Sequence, residues 1–334
     1  MSNESSLETA TRLPLVPAAF FGMVLGLGGQ GTAWRAASAL WRILPSVIGE
    51  IICLAAVVVW TIVTVLYALK WLLARDQALA EAEHPIQCCF IGLAGVSTML
   101  VAVIALPYST IAAWILFLSG AAFTLFFALW RTGRLWHGAR DAATTTAVLY
   151  LPTVAGSFMT AIGASALGLP DWGQLAFGAG LFSWLAIESV FLHRMLMAPE
   201  MAMPLRPSMG IQLAPPAVGC VAYLSVTTGI PDVLAHAMLG YAILQALLLA
   251  RLLPWILRQP FTASYWGVTF GATALATAAL RMVGRGDAGA VQTLAPALFV
   301  LANIVVGPIV VGSLYLLVRG KFFPAPLPVV TTPS

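Results

Sequence analysis

Charge is what this sequence has least of. Asp, Glu, Lys and Arg make up only 8% of its 334 residues, where a soluble domain carries about 25%. So little charge cannot cover a water-exposed globule. Cysteine is scarce as well: Cys53, Cys88, Cys89 and Cys220 lie in apolar runs, without a C-x-x-C or a Cys/His ligand spacing. Disulfide and zinc frameworks therefore have no support, and buried thiols are expected. His84, His137, His193 and His236 lack metal spacing too. Basic blocks are missing, so the pI of about 9.0 and net charge of +4 do not point to nucleic acid. No constellation of nucleophile, base and oxyanion donors appears, which argues against an enzyme, and no cofactor is expected. The opening MSNESSLETATRLP holds Glu4, Glu8 and a single Arg12. It lacks the cationic start of a signal peptide, so the first apolar span is expected to be retained.

Apolar residues fill the space: 60% of positions are hydrophobic and the mean hydropathy is +0.95. A bilayer core needs about 20 apolar residues per helix. Runs of that kind lie near 15–34, 46–70, 86–106, 110–130, 145–168, 172–193, 209–228, 233–256, 263–282 and 290–318. The sequence thus predicts an all-α polytopic membrane protein with ten transmembrane helices. Residues 1–13 would form a cytoplasmic N-terminal tail, 14–320 the membrane domain and 321–334 a cytoplasmic C-terminal tail. Orientation follows from the 16 basic residues. With ten spans, Arg12, Lys70, Arg75, Arg131, Arg134, Arg140, Arg194, Arg206, Arg251, Arg258, Arg319 and Lys321 share the side of both termini; Arg35, Arg42, Arg281 and Arg285 take the other. The positive-inside rule puts the richer side in the cytoplasm.

A weak repeat runs through the chain. Proline introduces each odd-numbered span (Pro17, Pro85, Pro152, Pro215 with Pro216, Pro260), and the even-numbered spans run out into basic residues. Five helical hairpins account for that alternation, although both habits are common in membrane helices. Composition separates the two sets further. The odd spans hold uncharged stretches rich in small residues, such as FFGMVLGLGG, VAGSFMTAIGAS and YWGVTFGATALA, while IICLAAVVVWTIVTVLYAL and YAILQALLLARLL carry the bulky side chains suited to lipid. An inner ring of five helices wrapped by an outer five is the expected arrangement.

Gly26, Gly28 and Gly31 spell G-x-G-x-x-G, with Glu50 at about the distance of a ribose-binding acid. A dinucleotide site needs a strand before the first glycine, and here the chain is an apolar span on both sides. Gly22, Gly26 and Gly29 instead form one stripe at i, i+4 and i+7. That stripe suits a helix-packing groove or a pore wall equally.

The stretches PAAFFGMVLGLG, HPIQCCFIGLAGVSTMLVA, LYLPTVAGSFMTAIGASALG, FSWLAIESVFLHR, LRPSMGIQLAPPAVGCVAYLSV and QPFTASYWGVTFGATALAT resemble the tellurite-resistance/dicarboxylate transporter family, which includes the plant guard-cell slow anion channels. The resemblance spans nearly the whole chain. It implies a homotrimer in which each subunit has its own pore, formed by the inner helices and blocked midway by a phenylalanine of the ninth. In YWGVTFGATALA that plug would be Phe270. Phe21, Phe90 and Phe158 fall in matching motifs, whereas PPAVGCVAYL has no phenylalanine at the corresponding place. With them, Gly22, Gly26, Gly92, Gly156, Gly219, Gly267 and Gly271 are the expected pore-lining positions.

A gated anion channel of the bacterial inner membrane is the leading expectation, with small inorganic or organic anions and membrane lipid as its partners. A proton-coupled exporter of dicarboxylates or tellurite is the alternative. Such carriers need a titratable group in the pathway, and the uncharged stretches of the inner spans offer none. Of the outer-span carboxylates Glu50 and Glu188, Glu188 is expected to sit at the interface, solvated and paired with a neighbouring helix.

Overall fold

The computed structural model describes residues 15–138 and 141–323; most of both predicted tails and Arg140 lie outside them. All regular structure among the described residues is helical. In chain order the α-helices are α1 (Phe21–Leu40), α2 (Ser46–Leu73), α3 (Arg75–Glu83), α4 (Leu93–Ala105), α5 (Thr110–Leu135), α6 (Gly156–Ala166), α7 (Pro170–Met197), α8 (Ala214–Val226), α9 (Val233–Ile256), α10 (Thr269–Gly284) and α11 (Ala290–Val318). Nine helical segments among the described residues are long and apolar enough to cross a membrane. The first predicted span, α1, is not one of them. Its 20 residues include five glycines, Gln30 and Arg35, which dilute its hydropathy.

Helix ends follow local chemistry. Ser109 and Asp232 cap α5 and α9, their side chains accepting from the backbone N–H of Ala112 and Ala235. Pro170 occupies the first position of α7, where its missing N–H costs nothing. Gly168 and Gly286 take φ of 84° and 96° just beyond α6 and α10. There the N–H groups of Leu169 and Asp287 reach back to the carbonyls of Ala164 and Met282. That left-handed turn closes a helix at little cost only for glycine.

Neighbouring helices pair as α1/α2, α4/α5, α6/α7, α8/α9 and α10/α11, giving five hairpins. Contacts between first members run α1 to α4, α4 to α6, α6 to α8, α8 to α10 and back to α1. These five helices therefore close into a ring. Burial follows the same division: 67–83% of the apolar windows containing α4, α6, α8 and α10 is buried, against 22–33% for α2, α5, α7, α9 and α11. Bulky side chains such as Ile51, Leu54, Phe126 and Phe182 stay exposed on the outer helices, as an apolar solvent requires.

The inner members begin differently from the prediction. Instead of one continuous α-helix, each opens with a tighter or wider turn. Ala18–Phe20, Gln87–Gly92, Ala147–Leu149, Met203–Leu213 and Ala263–Val268 are 3-10 segments, and Leu151–Ala155 is a π-turn before α6. Prolines explain part of this, since Pro152 and Pro207 supply no N–H to the regular ladder. The end of the ring carrying these segments is called the entry end below, and the opposite end, where the hairpins turn, the turn end.

Candidate functional site: two cavities inside the helix ring

The ring is not packed solid. A cavity of about 540 Å³ lies at the entry end, lined by residues of all five inner members together with Lys70, Gln77, Glu81 and Lys321. A second, of about 40 Å³, lies toward the turn end and is again walled by α1, α4, α6, α8 and α10. Phe270 and Val218 border both. Phe270 is half-buried, on the inward face of α10, with its ring beside the bare backbone of Gly29.

Of the predicted site residues, Gly22, Phe90, Phe158, Gly267 and Phe270 line the larger cavity together. The others are placed elsewhere, by the packing that small residues permit. A Cβ on Gly26 would fall 2.2 Å from Thr269 Oγ1, one on Gly156 2.1 Å from Thr124 Cγ2, and one on Gly271 2.8 Å from the backbone nitrogen of Ala214. Gly92 abuts Phe127 of α5, and Gly219 abuts Met238 of α9 and the Phe158 ring. Phe21 is buried with its ring edge-on to Tyr67 of α2. Within the Gly22, Gly26, Gly29 stripe, Gly22 and Gly29 border cavities, while Gly26 seats α10.

Glu188 requires a correction. It is 7% exposed rather than solvated, and no cation pairs with it among the described residues. Oε1 accepts from Gln212 Nε2 at 2.7 Å and the Tyr241 hydroxyl at 2.5 Å; Oε2 accepts from the Tyr150 hydroxyl at 2.7 Å and Trp184 Nε1 at 2.8 Å. These donors come from α7 itself, the start of the α6 member, the 3-10 entry to α8, and α9. The carboxylate is thus held by a polar cage joining the third and fourth hairpins. Tyr150 also lines the larger cavity. Arg194, six residues further along α7, is buried and forms no ion pair among the described residues.

At the entry end, Lys70 Nζ lies 2.8 Å from Glu81 Oε2, both side chains almost fully buried, and Glu81 Oε1 accepts from the Ala18 N–H at 2.8 Å. This pair fastens α3 and α2 to the start of α1. Next along the chain, His84 Nδ1 accepts from the N–H groups of Ile86 and Gln87, both at 3.1 Å. Partial burial holds its pKa below the ordinary histidine value, despite the opposing field of Glu81.

Three residues at the site went unread in the sequence. Val218 and Tyr150 carry no signal of their own. Arg281 does: it follows Phe270, Ala274 and Thr277 at i+4, i+7 and i+11, one face of α10, and all four line the small cavity. The sequence reading counted Arg281, at the end of the 263–282 span, only toward the basic residues of the side opposite the termini.

Membrane-length helices paired as hairpins, with small-residue members ringed about an internal cavity, define a multi-pass membrane protein of the channel or transporter class. The sequence pattern of the SLAC1 family, described as "Voltage-dependent anion channel", matches residues 16–314, and the chain belongs to that family. It is also similar to the tellurite resistance protein TehA homolog of Haemophilus influenzae, with 32% identity over 311 residues, covering 92% of this chain and 93% of that one. This is a family of channels and transporters rather than enzymes.

Proposed function

We propose that the chain is a gated anion channel in which ten helices cross a bacterial inner membrane, the inner five surround the ion path, and Phe270 plugs it. Residues 14–320 would form the channel domain, with both termini cytoplasmic and a homotrimer as the assembly; the distribution of basic residues and the family resemblance support these assignments. One observation carries the reading: Phe270, with Val218, is shared by the two cavities inside the ring. An apolar side chain across a narrow lumen excludes water and ions by dewetting, so it closes the path without a charged gate. Among the described residues lining the larger cavity, Lys70 and Lys321 outnumber the one acid, Glu81, and that net positive charge favours anions there.

Planar-bilayer recording of the purified protein with anion replacement tests the proposal. Unitary currents whose reversal potential moves when chloride is exchanged for a larger anion are expected. Their absence under all voltages and anions, with substrate flux still present in vesicles, would favour a carrier.

The second reading is a proton-coupled exporter of dicarboxylates or tellurite, in keeping with the name of the Haemophilus relative. It draws on Glu188, a buried carboxylate one hydrogen bond from the wall of the larger cavity. Under it, Glu188→Gln would abolish the pH dependence of flux in protein that still folds.

A further inference from the structure

The channel reading accounts for Phe270 and the wide cavity but gives no role to the cation on the other side of the plug. Among the described residues, Arg281 is the only charged one lining the small cavity. It sits eleven residues beyond Phe270 on the same face of α10, about 16 Å away at the rise of an α-helix. Among the described residues its side chain makes one hydrogen bond, Nη1 donating to Ser225 Oγ at 2.8 Å, and it forms no ion pair. One turn further on, Arg285 donates to the carbonyls of Leu224 and Thr227, so two like charges stand side by side without a carboxylate between them. Three carboxylates at this end are committed elsewhere, Glu50 to Arg35, Asp232 to Tyr223 and Asp287 to His236, and a fourth, Asp171, is exposed in the first turn of α7.

A half-buried arginine with most of its N–H groups unused, bordering a cavity and beside a second cation, favours an anion in that space. The hydroxyls nearby do not meet that need, because Thr32 and Thr277 donate to the carbonyls of Gly29 and Thr273 in their own helices. About 40 Å³ of room exceeds the roughly 10–15 Å³ one water requires and suits a small monovalent ion, not a dicarboxylate. We infer that Arg281 forms a binding station for a small monovalent anion such as chloride or nitrate, between the Phe270 plug and the turn end. The inference rests on reading the ring as an anion path. In that path the station would hold an ion at the far side of the closed plug and release it outward or inward when the plug moves, as weak serial sites do in other pores.

A binding measurement separates this claim from conduction. Bromide replaces chloride in crystals of the wild-type protein, and anomalous scattering locates it; in parallel, thermal stability is followed against chloride at constant ionic strength with gluconate as the balancing anion. A bromide peak within hydrogen-bond distance of the Arg281 guanidinium is expected, with a saturable stabilisation by chloride. Arg281→Gln should weaken the apparent chloride affinity by at least about tenfold, in line with losing a charge-assisted hydrogen bond, and Arg281→Lys should retain part of it. The wild-type bromide map stands whether or not either variant folds. No peak at Arg281, or a chloride response unchanged in folded Arg281→Gln, overturns the station. A peak there in protein that passes no current keeps the station and refutes the channel instead.

Discussion

Replacing Glu188 by alanine should be among the most damaging single changes in the molecule. Four donors converge on its carboxylate, two at each oxygen, over 2.5–2.8 Å. Alanine leaves the Trp184 N–H, the Gln212 amide and two tyrosine hydroxyls facing a void. Each unsatisfied buried donor costs about 1–3 kcal/mol. The hydroxyls can turn toward other acceptors, since Gln212 Oε1 already lies 3.0 Å from the Tyr150 hydroxyl. Counting only the Trp184 and Gln212 donors in full, and adding the cavity left by the side chain, gives a loss of about 4 kcal/mol or more. Against a total stability of about 5–15 kcal/mol, that removes between a quarter and most of the margin that keeps the protein folded. Glutamine is far milder. Its amide can keep two donors on its oxygen and give its N–H groups to the Tyr241 hydroxyl and a flipped Gln212, for a cost of about 1–2 kcal/mol. The assay is fluorescence-detected size exclusion of heated, detergent-solubilised protein at matched expression. Alanine protein should melt well below glutamine protein, and glutamine protein slightly below wild type. If Glu188→Ala melts within a degree or two of wild type, the donors are reaching water and the cage account is refuted; a solvated pair would cost only about 0–1 kcal/mol.

Further expectations concern packing and pH. Gly26→Ala drives a Cβ to 2.2 Å from Thr269 Oγ1 and 2.8 Å from Trp266 Cε3, so it should destabilise by about 1–3 kcal/mol. Gly133→Ala meets no atom within 4 Å and should stabilise α5 slightly, by up to about 1 kcal/mol; melting temperatures that move together in the two variants would contradict this packing. The lowered pKa of His84 means that the unfolded chain takes up its proton first as pH falls. The contribution of His84 is therefore complete above the unfolded value of about 6.5 and is lost as pH drops through the lower folded value. Melting temperature should fall between about pH 7 and pH 5 less steeply in His84→Ala than in wild type; identical slopes would show that His84 does not carry the effect.

The fold was legible where lipid imposes it. Long apolar runs located α2, α5, α7, α9 and α11 within a few residues, because nothing else satisfies the backbone in hydrocarbon. The small residues of VAGSFMTAIGAS and YWGVTFGATALA marked inner helices, since only they allow the approach seen at Gly156 and Gly271. The 3-10 entries were not legible: their hydrogen-bond register is set by tertiary contact rather than by residue type. Glu188 was misread for a related reason. Its one local partner, Trp184, sits at i−4, but Gln212, Tyr241 and Tyr150 come from other hairpins and no spacing announces them. Arg281 was readable in principle from its position on the Phe270 face of α10, and counting it only toward the charge of one membrane side hid that face.

The central claim is that Phe270 closes an anion path, and removing its ring tests that most directly. Phe270 faces a cavity on each side rather than a filled core, so Phe270→Ala should fold. A truncation in solid packing would instead cost about 3–5 kcal/mol. Widening a dry constriction by one phenyl ring lowers the barrier for an ion by a few kcal/mol, and each 1.4 kcal/mol is about tenfold in rate, so anion current on the order of 100-fold above wild type is expected. Phe270→Leu should fall between the two. In planar bilayers with equal amounts of monodisperse protein, a large constitutive anion current from Phe270→Ala is the predicted result. Current from that protein no greater than from wild type would contradict the account.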